Sequence, residues 1–215
     1  MLKILISVLA LSLVSGCGLL VQTKPMDEDK LADLKGKTLA VTKPHKVNMG
    51  LFTKSDALLG IFSTTMSAEE ITNRYELPDP AFDISKNVES KLVKNVKMKV
   101  TKRQQLKERT GDATEIAGQF DGVDYILDIE TINSQMIYKP LAFGEYKLIY
   151  RAKLQLVESA SKEVVASSVC VVESDENDSH SYDDMVAQNA KLLKKDFNRA
   201  ANHCTREFTT DILKI

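Results

Sequence analysis

The 215-residue chain contains no tryptophan, and aromatic residues make up only 6% of it. So few rings do not suggest the stacking platforms that bind carbohydrate. Charge of either sign is not in excess, since 29 basic residues stand against 30 acidic ones. Nucleic-acid-binding domains carry a strong basic excess, so no nucleic-acid partner is expected. The three histidines, His45, His180 and His203, are scattered, and none stands in a His-x-x-x-His or Cys-x-x-Cys context. No metal is therefore expected. Gly-x-Ser-x-Gly, P-loop and dinucleotide patterns are all missing, which argues against an enzyme and against any cofactor.

What is present begins at the amino terminus. Met1-Leu2-Lys3 is a short basic start, Ile4–Val14 is apolar except for Ser7 and Ser12, and Ser15-Gly16 are small. This order reads as a secretory signal peptide over 1–16. It is too short to span a bilayer, which takes about 20 apolar residues. Cys17 follows the small pair directly, and the run resembles the lipobox of bacterial lipoproteins. The resemblance implies acylation of Cys17, with two or three chains giving stable anchoring where one does not. The alternative is an ordinary secreted protein with an incidental cysteine. Gly18 stands where an aspartate would, by the same resemblance, hold the protein at the inner membrane. Its absence favours the outer membrane, facing the periplasm. Residues 17–36 read as an acylated tether carrying Asp27-Glu28-Asp29, and 37–215 as one periplasmic domain.

With Cys17 assigned to lipid, Cys170 and Cys204 remain. An even remainder in an oxidising compartment suggests a disulfide, the alternative being two buried free thiols.

Lys37–Lys43 alternates as a first strand. A Ser67-Ala68-Glu69-Glu70 capping box opens a helix through Tyr75, and Asp79-Pro80 opens another, with Ile84, Val88 and Leu92 on one face to about Lys94. Lys97–Thr101 reads as a second strand, Arg103–Glu108 as the start of a helix, and Ala113–Phe120 as its continuation. Three strands follow at Val123–Ile132, Tyr146–Leu156 and Glu163–Glu173, with the alternation of antiparallel pairing. An acidic loop, Ser174–Asp184, lacks the glycine and terminal glutamate of an EF-hand. Val186, Ala190, Leu193, Phe197, Ala200, Cys204, Phe208 and Ile212 then form one helical stripe. It turns Cys204 toward the sheet, and Cys170 shares the parity of Val164, Ala166 and Val172. The expected fold is α/β, a three-layer α/β/α domain with a mixed sheet of about five strands and a long C-terminal helix.

Arg103-Gln104-Gln105-Leu106, Ala113–Ala117 and Gly122-Val123-Asp124-Tyr125-Ile126-Leu127 resemble a pattern in periplasmic α/β domains. These are the amino-terminal domain of the Tol translocation protein, the curli secretion lipoprotein, and the lipoprotein activators of penicillin-binding proteins. The resemblance implies a protein-binding α/β/α domain without catalysis, and its motifs concern packing rather than activity.

Two apolar stretches are candidate contact surfaces, Leu58–Phe62 and Met136–Phe143. The second, with Met136, Ile137, Tyr138, Leu141 and Phe143, reads as an apolar loop between strands, and exposed apolar patches mark partner surfaces. The alternative is that both fold onto the core. The Lys86–Arg103 span is rich in lysine and suits either an anionic surface or the wet face of a helix and strand. The expected function is a non-enzymatic, membrane-anchored module that binds an envelope protein or copies of itself. The competing expectation is a carrier for a lipid or peptidoglycan fragment held between the last helix and the sheet.

Overall fold

Two 14-residue strands, far longer than the usual five or six, form the spine of the sheet. The structure, a computed structural model, describes residues 23–53, 68–107, 111–139, 142, 144–174 and 180–215. Cys17 with its signal peptide, Leu58–Phe62, Leu141 and Phe143 lie outside the described residues. The strands are β1 (Thr38–Thr42), β2 (Gly50–Phe52), β3 (Lys99–Gln104), β4 (Tyr125–Tyr138), β5 (Glu145–Glu158), β6 (Glu163–Glu173) and β7 (His180–Ser181). The helices are α1 (Glu28–Asp33), α2 (Ala68–Arg74), α3 (Pro80–Lys91), α4 (Ala113–Ala117) and α5 (Tyr182–Glu207). Wider turns, Leu92–Val96 and Phe208–Ile212, extend α3 and α5.

The sheet runs β3-β1-β4-β5-β6, with β2 also beside β4 and β7 beside β5. Pairs among the early strands are parallel, and β4, β5 and β6 form an antiparallel meander. This mixed sheet, with helices and a long C-terminal helix, is the α/β architecture expected from the sequence. The layers are unequal. Helices α1, α3 and α5 cover one face over Leu39, Leu127, Leu154 and Cys170. Among the described residues the other face holds α4 alone, over Ala40, Ile126 and Val157.

Local signals set several boundaries. Asp79 accepts from the Ala81 N–H at 2.9 Å, and Pro80 occupies the first turn of α3, where its missing N–H costs nothing. Asp112 caps α4 through the N–H groups of Thr114 and Glu115. Ser181 caps α5 through the Asp184 N–H.

Three expectations are corrected. Lys102, Arg103 and Gln104 extend β3 and pair with Ala40, Val41 and Thr42, so no helix starts at Arg103. Beyond Val100 this edge strand carries only polar residues, Thr101 to Gln104, so no apolar alternation announces its continuation. Met136, Ile137 and Tyr138 belong to β4, not to a loop. The strand continues because a bulge leaves Ile132 unpaired between Thr131 and Asn133. The extra residue shifts parity, so Tyr125, Leu127 and Ile129 before it share a face with Met136 and Tyr138 after it. Finally, the tether is shorter than 17–36. Lys24 bridges to Ser167, and Met26 and Leu34 are fully buried in the main core.

Helix α5 follows its expected stripe from Ala190 onward, with Leu193, Phe197, Ala200 and Cys204 buried. Upstream the helix is broken. Ala187 is extended, and Gln188, Asn189 and Ala190 have φ of 51°, 58° and 55°. The break changes the phase, so Met185 is buried where Val186 was expected.

Candidate functional site

The face of the sheet opposite α5 is only half covered. At the end remote from α4, residues opposed across β4, β5 and β6 share that face: Ile137 with Lys147, Gln135 with Ile149 and Glu173, Arg151 with Val171. Lys153 pairs with Val169 on the same face. Ile137, Ile149 and Val169 are half-buried, while Val171 is 45% exposed. Lys147 and Glu173 form an ion pair of 2.7 Å along the rim. Among the described residues no helix packs over these side chains. The result is an apolar strip with a charged border on a rigid antiparallel frame, which is how protein-docking surfaces are built.

Of the three expected contact residues that are described, Met136, Ile137 and Tyr138, only Ile137 reaches this face. Met136 is fully buried with Met49, Leu51, Leu148 and Met185, and Tyr138 is 6% exposed. Tyr138 meets Tyr146 edge-on at 5.6 Å, and Tyr146 meets Tyr182 at 6.0 Å, which closes the core at this end. Ile149, Val169 and Val171 were missed in the sequence. Their signal is an apolar residue at an outward position of each strand, with Ile149 between Lys147 and Arg151 and Val171 two residues before Glu173.

Buried polar groups elsewhere are used for structure. Asp79 accepts from the Val47 N–H at 3.0 Å and from the Thr131 hydroxyl, and Thr131 also bonds the Tyr150 phenol at 2.8 Å. Burial drives the Tyr150 pKa upward, so it remains protonated. This chain of contacts ties α3 to β4 and β5.

On the α4 side, the polar side chains of Lys153 and Gln155 are only 6% and 7% exposed. The Lys153 ammonium lies 4.0 Å from Glu130 and 3.5 Å from the Gly111 carbonyl. Residues 111–123, laid over this end of the sheet with α4, bury them.

Cys170 and Cys204 are joined in a disulfide, with Cα atoms 5.6 Å apart. Helix α5 packing on β6 brings them together, as the stripe and the strand parity required. His203 and Glu207, one turn apart on α5, lie beside it. The imidazole, the carboxylate and the Cys170 sulfur all fall within 4.8 Å of one another. Nothing in the order of residues hints at this grouping, since Cys170 is remote in the chain. Its sulfur is bonded to Cys204, so no thiolate is present to ligate a metal. Burial raises the Glu207 pKa, against a lowering by His203. His45 instead contacts the Gln105 amide at 2.7 Å and the Leu106 carbonyl at 3.3 Å.

Among the described residues, the cavity between α5 and the sheet lined by Met49, Ser134 and Phe197 holds about 10 Å³, room for one water at most.

No protein-family model matches the chain, and no curated protein matches it. Among solved structures, the hypothetical protein CT253 of Chlamydia trachomatis is 10% identical, with a TM-score of 0.40 over 80% of this chain and 95% of that one. Protein XCC0632 of Xanthomonas campestris is 14% identical, with a TM-score of 0.41 over 87% and 88%. Lipoprotein GNA1162 of Neisseria meningitidis is 15% identical, with a TM-score of 0.29 over 77% and 99%. Likenesses at this level assign no function.

Proposed function

We propose that the chain is a bacterial lipoprotein, acylated at Cys17 and held at the periplasmic face of the outer membrane, whose domain docks another envelope protein without catalysis. The apolar run closing on Ser15-Gly16-Cys17 supports the anchor. The uncovered strip of Ile137, Ile149, Val169 and Val171 carries the docking role. A sheet surface fixed by two rows of ladder hydrogen bonds is already ordered before a partner arrives, so little conformational entropy is lost on binding.

The anchor is tested by Cys17→Ser in the native host, followed by fractionation and intact mass. The acylated chain should sediment with membranes and the variant should become soluble. A variant that stays membrane-bound contradicts the anchor. Docking is tested with Val171→Arg, which charges an exposed position at little cost to folding. It should abolish in-cell crosslinks to the partner, and unchanged crosslinks contradict the assignment.

A further inference from the structure

A second surface lies near the point where the described chain begins. Leu31 and Ala32 of α1, Asn95, Val96 and Lys97 after α3, and Lys214 and Ile215 at the carboxyl end enclose an open concavity of about 490 Å³. Leu31, Val96 and Ile215 are half-buried and pack on the main core. Lys35, Lys97 and Lys214 stand at its rim, all exposed. None of the three is ion-paired to a carboxylate among the described residues. By contrast, Lys30 and Lys37 pair with Glu158 and Asp124, and Arg103 pairs with Glu89. The lysine-rich span seen in the sequence is thus sorted by the fold. Arg103 is neutralised locally, Lys91 turns inward to the Thr209 hydroxyl, and Lys97 stays at the rim, exposed, its ammonium donating to the Lys94 carbonyl at 2.7 Å.

We infer that this concavity contacts the anionic phospholipid surface of the leaflet that holds the anchor, its apolar floor facing the interface and its three lysines bonding headgroup phosphates. The inference rests on the proposed acylation of Cys17. Chain length makes the contact hard to avoid. From Cys17 to Lys24 a fully extended chain spans at most about 25 Å, and from Lys24 onward it is fixed. Lys24 is bridged to Ser167, and the Met26 N–H donates to the Ile212 carbonyl at 2.7 Å. Both lining segments grow from that fixed point: Leu31 follows Met26, and Ile215 follows Ile212. A short leash therefore holds this end of the domain near the bilayer. Lysines there are attracted to an anionic surface, an effect felt within a Debye length. Without an anchor, so few charges would bind weakly; with it, they set orientation. The docking strip is then held in a defined attitude toward the periplasm.

The absence of tryptophan makes the test direct, because one introduced indole is the only one present. Asn95→Trp places it at an exposed lining position. The full-length variant is extracted from membranes, its acylation is read by intact mass, and it is reconstituted into vesicles. One set contains phosphatidylglycerol and phosphatidylethanolamine, the other phosphatidylcholine alone, each with brominated chains. The acylated chain should show blue-shifted, bromine-quenched emission on phosphatidylglycerol vesicles. The signal should be lost on phosphatidylcholine, at high salt, and in the Lys35→Glu, Lys97→Glu, Lys214→Glu triple variant. An acylated chain with unshifted emission on all vesicles, or with quenching unchanged in the triple variant, overturns the membrane contact alone. A chain found without acyl mass overturns the anchor reading, and with it this inference.

Discussion

Lys24 and Ser167 exchange both of their backbone hydrogen bonds, Lys24 N–H to Ser167 O at 2.7 Å and Ser167 N–H to Lys24 O at 2.8 Å. This bridge turns what reads as a tether into part of the domain. Two residues later Met26 is fully buried between α5 and the sheet. Met26→Ala should therefore cost about 2–4 kcal/mol, as for a buried core methionine. A true tether residue would cost nothing. Urea denaturation of the full chain distinguishes the two.

The disulfide joins residues 34 positions apart. Closing a loop of that length should contribute about 3–4 kcal/mol by restricting the unfolded chain. Cys170→Ala with Cys204→Ala, or wild type under reductant, should unfold at lower urea by that amount. An unchanged midpoint would mean that the bridge adds nothing.

The left-handed turn in α5 makes an opposite-sign test. Gln188, Asn189 and Ala190 each adopt a conformation that costs a non-glycine residue about 1–2 kcal/mol. Gln188→Gly relieves one of these and should raise stability by about 0.5–1 kcal/mol, net of glycine's entropy. In an uninterrupted helix the same change would lower stability by about 1 kcal/mol. The sign of the shift in thermal unfolding decides.

Two carboxylates should give opposite pH dependences. Asp124 accepts from the Thr38 hydroxyl and N–H at 2.7 and 2.8 Å, which lower its pKa. Its contribution is present above the unfolded-state value and fades as pH falls through the folded one. Burial raises the Glu207 pKa, so its contribution is present at acid pH and fades as pH rises through the folded value. Relative to wild type, Asp124→Asn should lose stability at neutral pH and match it in acid. Glu207→Gln should gain at neutral pH and converge in acid. Urea midpoints across pH 3–7 read both.

The elements most legible in the sequence were those with a single periodicity. Tyr146, Leu148, Tyr150, Ala152, Leu154 and Leu156 face the α5 core as their alternation required, and Asp79-Pro80 opens α3 where the capping chemistry put it. Reading failed where one residue broke the period. The bulge at Ile132 disguised the continuation of β4, and the αL turn disguised the phase change at Met185. The second half of edge strand β3, Thr101 to Gln104, had no apolar residue to write a pattern. The docking strip was hidden for another reason. It joins Ile137, Ile149 and Val171 from three strands, and only their register places them on one face.

The central claim is that this strip docks a protein of the envelope. A photocrosslinking residue at Val171 in the full-length chain, activated in intact cells, tests it most directly. The account predicts one discrete adduct, absent when the probe sits at the exposed Phe82 on α3 and lost when Ile149→Asp is added. An adduct of twice the chain mass would identify a second copy as the docked protein. No adduct at Val171, or the same adducts from Phe82, would contradict the claim.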